Sequence, residues 1–468
     1  MPVYDVEERW LRSAIGSVIR QTYPNWELCI ADDASPSPHV RRTLEEFTTR
    51  DPRIKLVYRD ENGHISRASN TALELATGEF IGLLDHDDEL TPDALFHVVS
   101  ILQAEPSLNM IYSDEDSIDA NGNVSSPSFK PAWSRDLFYS VNYVTHFAVY
   151  RTEIVKRLGG FRIGFEGSQD YDLALRVIEH IPEDSIHFIP RILYHWRAIE
   201  GSVALAGSEK PYAHERARMA IREHFERTGV KADVVEALQD RHRVVYQLPQ
   251  RVKVDLIVLG EDRVEFTGDD ASVHSVSKDA SANVLNSAAS ELSGDVILFL
   301  DGDLKSRGGI SDLIAAALQP GIGAVGGRIV DGDGMTEQSG IVLGSDVAPS
   351  FAHAGYPREE PGNLSRNVNI GNFLAVSRSC LAVRRSVFDG LGGFDESVGD
   401  LFDVDFCLRV WETGKRVVVF PHVEFLRIQS PRTRLVSSER FRERWQKYAK
   451  GDPFCNPSLK RDGTFQVG

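Results

Sequence analysis

Residues 80–88 read FIGLLDHDD, and their reading decides the fold. The mostly apolar run Phe80 to Leu84, bounded by Gly78 before and by Asp85, Asp87 and Asp88 after, reads as a buried parallel strand. In open α/β sheets ligands gather at the carboxyl ends of such strands. Three acids crowded at one strand end repel one another, and oxygen-only ligands suit a hard cation such as Mg2+ or Mn2+. A solvated acidic turn ahead of a helix is the other reading, because Thr91 and Pro92 make a good cap and first-turn pair.

The flanking pattern alternates. Val6 to Gln21 places Trp10, Leu11, Ala14, Ile15, Val18 and Ile19 on one helical face. Trp26 to Ile30 reads as a strand ending in Asp32 and Asp33, Arg41 to Thr49 as a helix, Ile54 to Tyr58 as a strand and Ser66 to Ala76 as a helix closed by Gly78. This rhythm predicts a parallel sheet with a nucleotide-sized crevice at its carboxyl edge. The strand expected before the first helix is nearly absent, since the chain opens Met-Pro-Val-Tyr, through truncation or a missing sheet edge.

A chain of 468 residues is too long for one ordinary core, and its 42% hydrophobic and 26% charged content fits a globular protein of two or three domains. The net charge of -17 argues against a nucleic-acid partner. Cys29, Cys380, Cys407 and Cys455 show neither metal-ligand spacing nor a disulfide framework, which fits a reducing cytoplasm. No apolar run is long enough to span a bilayer, so a membrane-bound acceptor would be met by peripheral contact.

The second half repeats the first. Asn70 to Gly78 and Asn286 to Gly294 both span eight residues, and Gly78 to Asp85 and Gly294 to Asp301 both span seven. Asp85 and Asp87 therefore superpose on Asp301 and Asp303 of VILFLDGD. Gly159-Gly160-Phe161 matches Gly392-Gly393-Phe394, and Asp170 and Asp172 match Asp403 and Asp405. A composition shift places the boundary near 250, giving domains of 1–250 and 251–468.

Four further groups have two readings each. Asp170 precedes an amphipathic helix, as a general base or as that helix's cap. His195 follows a strand-like run, as a metal or diphosphate contact or as a packed residue. Asp32 and Asp33 end a strand, accepting from a nucleobase or forming an Asx turn. The acids of Ser113 to Asp116 follow a strand over Met110 to Tyr112, as a solvated loop or an acceptor site.

Taken together, SVIRQTYPNWELCIADDAS, ENGHISRASNTALELATGEFIGLLDHDDEL, IYSDEDSID, GSQDYDLALR and LYHWR resemble a family-2 glycosyltransferase of the glycosyltransferase-A fold. The nearest likeness is to bacterial enzymes building O-antigen or other cell-surface polysaccharide, rhamnosyltransferases included. The resemblance covers about residues 2–230, and residues 251–460 resemble a second such domain. It implies two tandem Rossmann-like α/β domains and an inverting transfer. The donor would be a UDP- or dTDP-linked sugar, the acceptor a glycan or lipid-linked glycan, and the cofactor Mn2+ or Mg2+. It also implies roles: Pro2, Val3, Tyr4 and Asp33 for the nucleobase, His64 and Asn70 for the nucleotide, and Asp85 and His86 for the nucleotide sugar. Asp87, Asp88 and His195 fall at the metal, and Asp170 at the base. Two positions depart from the family pattern, Asp5 standing for the usual Asn and Gln169 for a Glu.

The second domain is shorter where the nucleotide half should be, with 34 residues from Val252 to Asn286 against 66 from Tyr4 to Asn70. Asp269 to Ser272 echoes Asp32 to Ser35 out of register, Asp88 becomes Leu304, and Arg427 stands one residue out of register with His195. Asp301, Asp303 and Asp403 remain as candidates there. A degenerate, supporting second domain is expected, with a bifunctional chain or a non-catalytic glycan-binding scaffold as alternatives. A nucleotidyltransferase would want a Gly-rich basic loop after the first strand, and PVYDVEERW has none.

Overall fold

The computed structural model describes residues 1–198, 211–238, 241–260, 271–429 and 435–468; Asp269 and Asp270 fall outside them. Backbone contacts divide the chain into two compact units, Met1–Trp133 with Asn142–Val230 and Ser134–Val141 with Lys231–Gly468. No described helix is long and apolar enough to cross a membrane.

The first unit opens with β1 (Pro2–Val3), α1 (Glu8–Ile19), β2 (Leu28–Asp32), α2 (Pro38–Arg50), β3 (Ile54–Tyr58) and α3 (His64–Leu75). The three strands form a parallel sheet in the order β1-β2-β3. On α1 the predicted face is buried through Trp10, Leu11, Ala14, Ile15 and Val18. That apolar burial, rather than helix propensity, is what fixes such a helix to its sheet. β4 (Phe80–Gly82), β5 (Glu89–Leu90), α4 (Ala94–Ala104), β6 (Met110–Ile118) and β7 (Val124–Ser128) follow. After α5 (Arg135–Phe138), which belongs to the second unit, come β8 (Ala148–Arg151), α6 (Thr152–Arg157), α7 (Gln169–Ile178), β9 (Ile186–Arg197) and α8 (Pro211–Thr228). The second sheet of this unit runs β4-β8-β6-β9-β5, with β7 on β6.

Two sequence expectations are corrected. β4 is a three-residue strand at the sheet edge, antiparallel to β8, and its Gly82 is exposed. The two residues of β1 pair with β2, so among the described residues no strand covers the other side of β4. The acids at 114–116 do not form a solvated loop. β6 continues through them to Ile118, pairing in parallel with β9, and Asp114 and Asp116 are buried.

The second unit contains β10 (Ala232–Glu236), β11 (His242–Tyr246), β12 (Val254–Leu259), β13 (Ala271–Val276), α9 (Ala282–Ser290), β14 (Val296–Asp301), β15 (Leu304–Ser306), α10 (Ile310–Ala317) and β16 (Ile322–Val330). Its main sheet also takes the strands Cys380–Arg384 and Arg416–Arg427. Here the apolar strand is flanked as expected. β14 is parallel to β12, antiparallel to Cys380–Arg384, and buried at all six residues. Among the described residues, two parallel strands and α9 precede it, where the first unit sets three strands and three helices before β4.

The duplication extends to side chains. Asn70 Nδ2 donates to Phe161 O at 2.8 Å and its Oδ1 accepts from Phe161 N at 2.8 Å. Asn286 makes the same pair with Phe394 at 2.8 and 2.9 Å. Arg176 reaches Asp172, Leu158 O and Gly160 O, as Arg409 reaches Asp405, Leu391 O and Gly393 O.

Candidate active site

The turn after β4 carries the acidic run, and two strands of the second sheet close over it. Asp88 is buried, and both its oxygens are held from β9: Tyr194 Oη donates to Oδ2 at 2.5 Å and Arg197 N to Oδ1 at 2.7 Å. Arg197 is also buried, donates through Nε to Asp87 O at 2.5 Å, pairs with Glu89, and lies over the Trp10 ring. It fixes the loop that presents the acids.

Asp85, Asp88 and His146 come together, each offering one ligand atom, with these atoms within 4.8 Å of one another. His146 precedes β8, the strand antiparallel to β4, which brings the histidine back beside Asp85. Its ring stacks on Tyr194 at 4.9 Å. Its backbone N–H donates to Glu115, and its carbonyl accepts from Lys130 Nζ at 2.7 Å. The Lys130 side chain is fully buried, pairs with Glu115 at 3.2 Å, and donates to Thr145 O at 2.7 Å.

Burial, then Asp85 and Asp87 beside it, pushes the Asp88 carboxyl up to about 8. Burial alone would lower the His146 imidazole, but Glu115, then Asp88 and Asp85, override it and raise it to about 9. Among the described residues the Asp85 carboxylate has no hydrogen-bond partner. Two crowded carboxylates and an imidazole therefore share one small volume. This donor set fits a divalent cation such as Mn2+ or Mg2+.

Asp170 sits in the first turn of α7, and Asn142 Nδ2 donates to its Oδ2 at 2.9 Å. Burial raises its carboxyl, the positive His146 opposes that, and Asp85 adds to it. The charges of the cluster thus reach Asp170. Capping does not consume it, because Ser168 holds the cap position of α7 and no side chain caps the helix.

The other expected residues are distributed as follows. Asp87 lies at the rim with His86, whose Nε2 is 4.0 Å from its Oδ1, and burial raises the Asp87 carboxyl. His195 is not in the cluster; its Nδ1 is 2.5 Å from Asp116 Oδ1, across the β6–β9 register. Asp33 is buried, pairs with Arg59 Nε at 2.6 Å, and accepts from Gly63 N, the residue before the exposed His64. Its own N–H donates to Val3 O at 2.8 Å, so Pro2, Val3, Tyr4, Asp33 and His64 converge at one edge of the parallel sheet. Asn70 does not join them with its carbonyl, because the Phe161 clasp takes it. In the second unit Asp301 ends β14 and Asp303 lies in the turn after it, both against Arg427, and Asp403, fully buried, accepts from Arg378 N at 2.8 Å.

Sequence reasoning missed His146, Lys130 and Arg197, and met Glu115 only as one of the acids of 113–116. The signal for His146 was a lone histidine just ahead of the apolar run Phe147 to Tyr150; only the antiparallel pairing of that run with β4 reveals its place.

Residues 1–159 match the family model described as glycosyl transferase family 2. The chain is 35% identical, over 98% of its length and 57% of the relative's, to an uncharacterized protein, y4gI, of Sinorhizobium fredii. It is 33% identical, over 99% of its length and 40% of the relative's, to the O-antigen biosynthesis protein RfbC of Myxococcus xanthus. The chain thus spans about half the length of these curated relatives. A crystal structure of S. aureus TarS in complex with UDP-GlcNAc aligns at 19% identity and a TM-score of 0.39, over 47% of this chain and 64% of that one, a likeness too low to carry an argument. The cluster of Asp85, Asp88 and His146 lies inside the span that matches glycosyl transferase family 2.

Proposed function

We propose that the first unit is an inverting, cation-dependent glycosyltransferase that moves a sugar from a nucleotide-diphosphate donor to a hydroxyl of a growing cell-surface glycan. The observation that supports this reading is the Asp85–Asp88–His146 cluster inside the family-2 span, with the charges of His146 and Asp85 reaching the buried Asp170 just beyond it. A divalent cation bound there supplies electrostatic stabilisation to a leaving diphosphate.

The chain's own residues do the rest. Asp85, Asp88 and His146 would hold the cation, and Glu115 and Lys130 hold His146. Pro2, Val3, Tyr4, Asp33 and His64 line the edge where the nucleoside would lie. Asp170 takes the proton of the acceptor hydroxyl, whose oxygen attacks the anomeric carbon on the face opposite the departing diphosphate. One displacement inverts that carbon, and burial makes Asp170 a stronger base than a solvated aspartate. The name of the Myxococcus relative supports a cell-surface glycan as product, with a UDP- or dTDP-linked donor and a free or lipid-linked acceptor, the latter met by peripheral contact with a membrane.

A panel of nucleotide sugars incubated with the full chain and Mn2+ tests the reading. Slow donor hydrolysis is expected for one donor, abolished by chelation and by Asp170→Asn. Hydrolysis of none, with thermal stability indifferent to every donor, sinks it.

A further inference from the structure

The second unit repeats the acidic pair but not its surroundings. β4 pairs Phe80 with Arg151 as β14 pairs Val296 with Arg384, so Ser379 takes the place of His146. Glu89 faces His195 as Lys305 faces Leu426, so Leu304 replaces Asp88, Leu426 replaces His195, and Arg427 stands where the first unit has Trp196. Asp116 pairs with His195 as Val330 pairs with Leu426, which sets Ile329 in the place of Glu115.

The pair is already neutralised. Arg427 Nη1 lies 3.1 Å from Asp301 Oδ2 and 2.8 Å from Asp303 Oδ1, and its Nε 2.6 Å from Glu337 Oε2. The other Asp303 oxygen is 3.2 Å from Lys278 Nζ. The Arg427 side chain is 1% exposed, and those of Asp301, Asp303 and Glu337 are all below 10%. A divalent cation entering here would have to displace the guanidinium from Asp301 and Asp303 and leave it buried with Glu337 alone, which is costly. The acidic pair that corresponds to the first unit's strand-end acids is thus already occupied in the second.

We propose that Arg427 takes the place of a divalent cation in the second unit, so that Asp301 and Asp303 form a structural charge cluster and, among the described residues, the first unit alone keeps an open cation site. The second unit then performs no cation-assisted transfer, which separates a supporting domain from a bifunctional chain. This holds independently of what the first unit transfers.

Titration of the full-length chain with Mn2+ alone, followed calorimetrically, provides the test. Wild type and Asp303→Asn are each expected to bind one equivalent, Asp88→Asn none, and Arg427→Ala two. The added equivalent should vanish in Arg427→Ala combined with Asp303→Asn. A second equivalent in wild type that survives Asp88→Asn and disappears in Asp303→Asn overturns the proposal, as does a folded Arg427→Ala that gains no site. Should wild type bind none, the first-unit reading fails, yet the gain in Arg427→Ala still decides this one. Should Arg427→Ala not fold, the comparison of wild type, Asp88→Asn and Asp303→Asn decides it.

Discussion

Asp88 and His146 hold protons at the place where a cation would sit, and the two must compete. With Asp88 raised to about 8 and His146 to about 9, both bind protons at pH 6 and progressively release them above it. Mn2+ affinity should therefore rise with pH across this window and fall by at least about tenfold for each unit lowered below 8, since ligands must be deprotonated to bind. Calorimetric titration at pH 6, 7 and 8 checks this; a flat profile refutes it. His146→Ala should weaken Mn2+ binding by about tenfold or more in the same assay while leaving the fold intact. Asp170→Asn should lower kcat by roughly 10^2 to 10^4 and keep donor affinity within a few-fold, the signature of a lost general base. Asp85, Asp88 and Asp170 could be singled out in the sequence because strand-end carboxylates and their spacing are written in it, although the sequence put Asp87, and not Asp85, at the cation. His146 was not, because its proximity depends on the pairing of β4 with β8, and His195 was misplaced because Asp116, across a bulged register, captures it.

The repeated elements are held by repeated clasps. Gly160 and Gly393 both have φ of +70°, and a Cβ on either would lie 2.3 or 2.4 Å from the Asn70 or Asn286 oxygen. Each asparagine satisfies the N–H and C=O of the following phenylalanine. Asn70→Ala and Asn286→Ala should each lose about 1 to 3 kcal/mol in urea unfolding, the cost of leaving such groups unpaired. Loss in one but not the other would show the clasps to be inequivalent. The duplication was readable from matched intervals. The structural purpose of Asn70 was not, because an asparagine that binds a ligand and one that binds a turn are the same letter. The apolar run of FIGLLDHDD likewise spelled a buried strand, but burial needs a neighbour on each side, and among the described residues β4 has one.

At the scale of the molecule, the α/β class, the tandem repeat and the shorter second nucleotide half followed from pattern and length. What composition does not disclose is that the second unit includes Ser134–Val141. Asp136, buried there, pairs with Arg416 Nε at 2.6 Å and with Asn372 Nδ2 at 2.8 Å, while Ser134 Oγ is 2.9 Å from Asn372 Oδ1. Asp136→Ala should destabilise the chain by about 3 kcal/mol, because it leaves Arg416 without its partner. Thermal unfolding measures this; an unchanged midpoint would show the pair to be idle.

These bonds also impose an order in time. Asp136 leaves the ribosome long before Asn372 and Arg416, its partners 236 and 280 residues later. The helix Arg135–Phe138 must therefore wait, its acid unmatched, while Asn142–Val230 of the first unit is made. Contacts so distant in sequence form late and slow the refolding of whatever depends on them. The segment works as a clock: the second unit finishes only once nearly the whole chain exists, and a fragment beginning at residue 231 would lack the piece it needs to close.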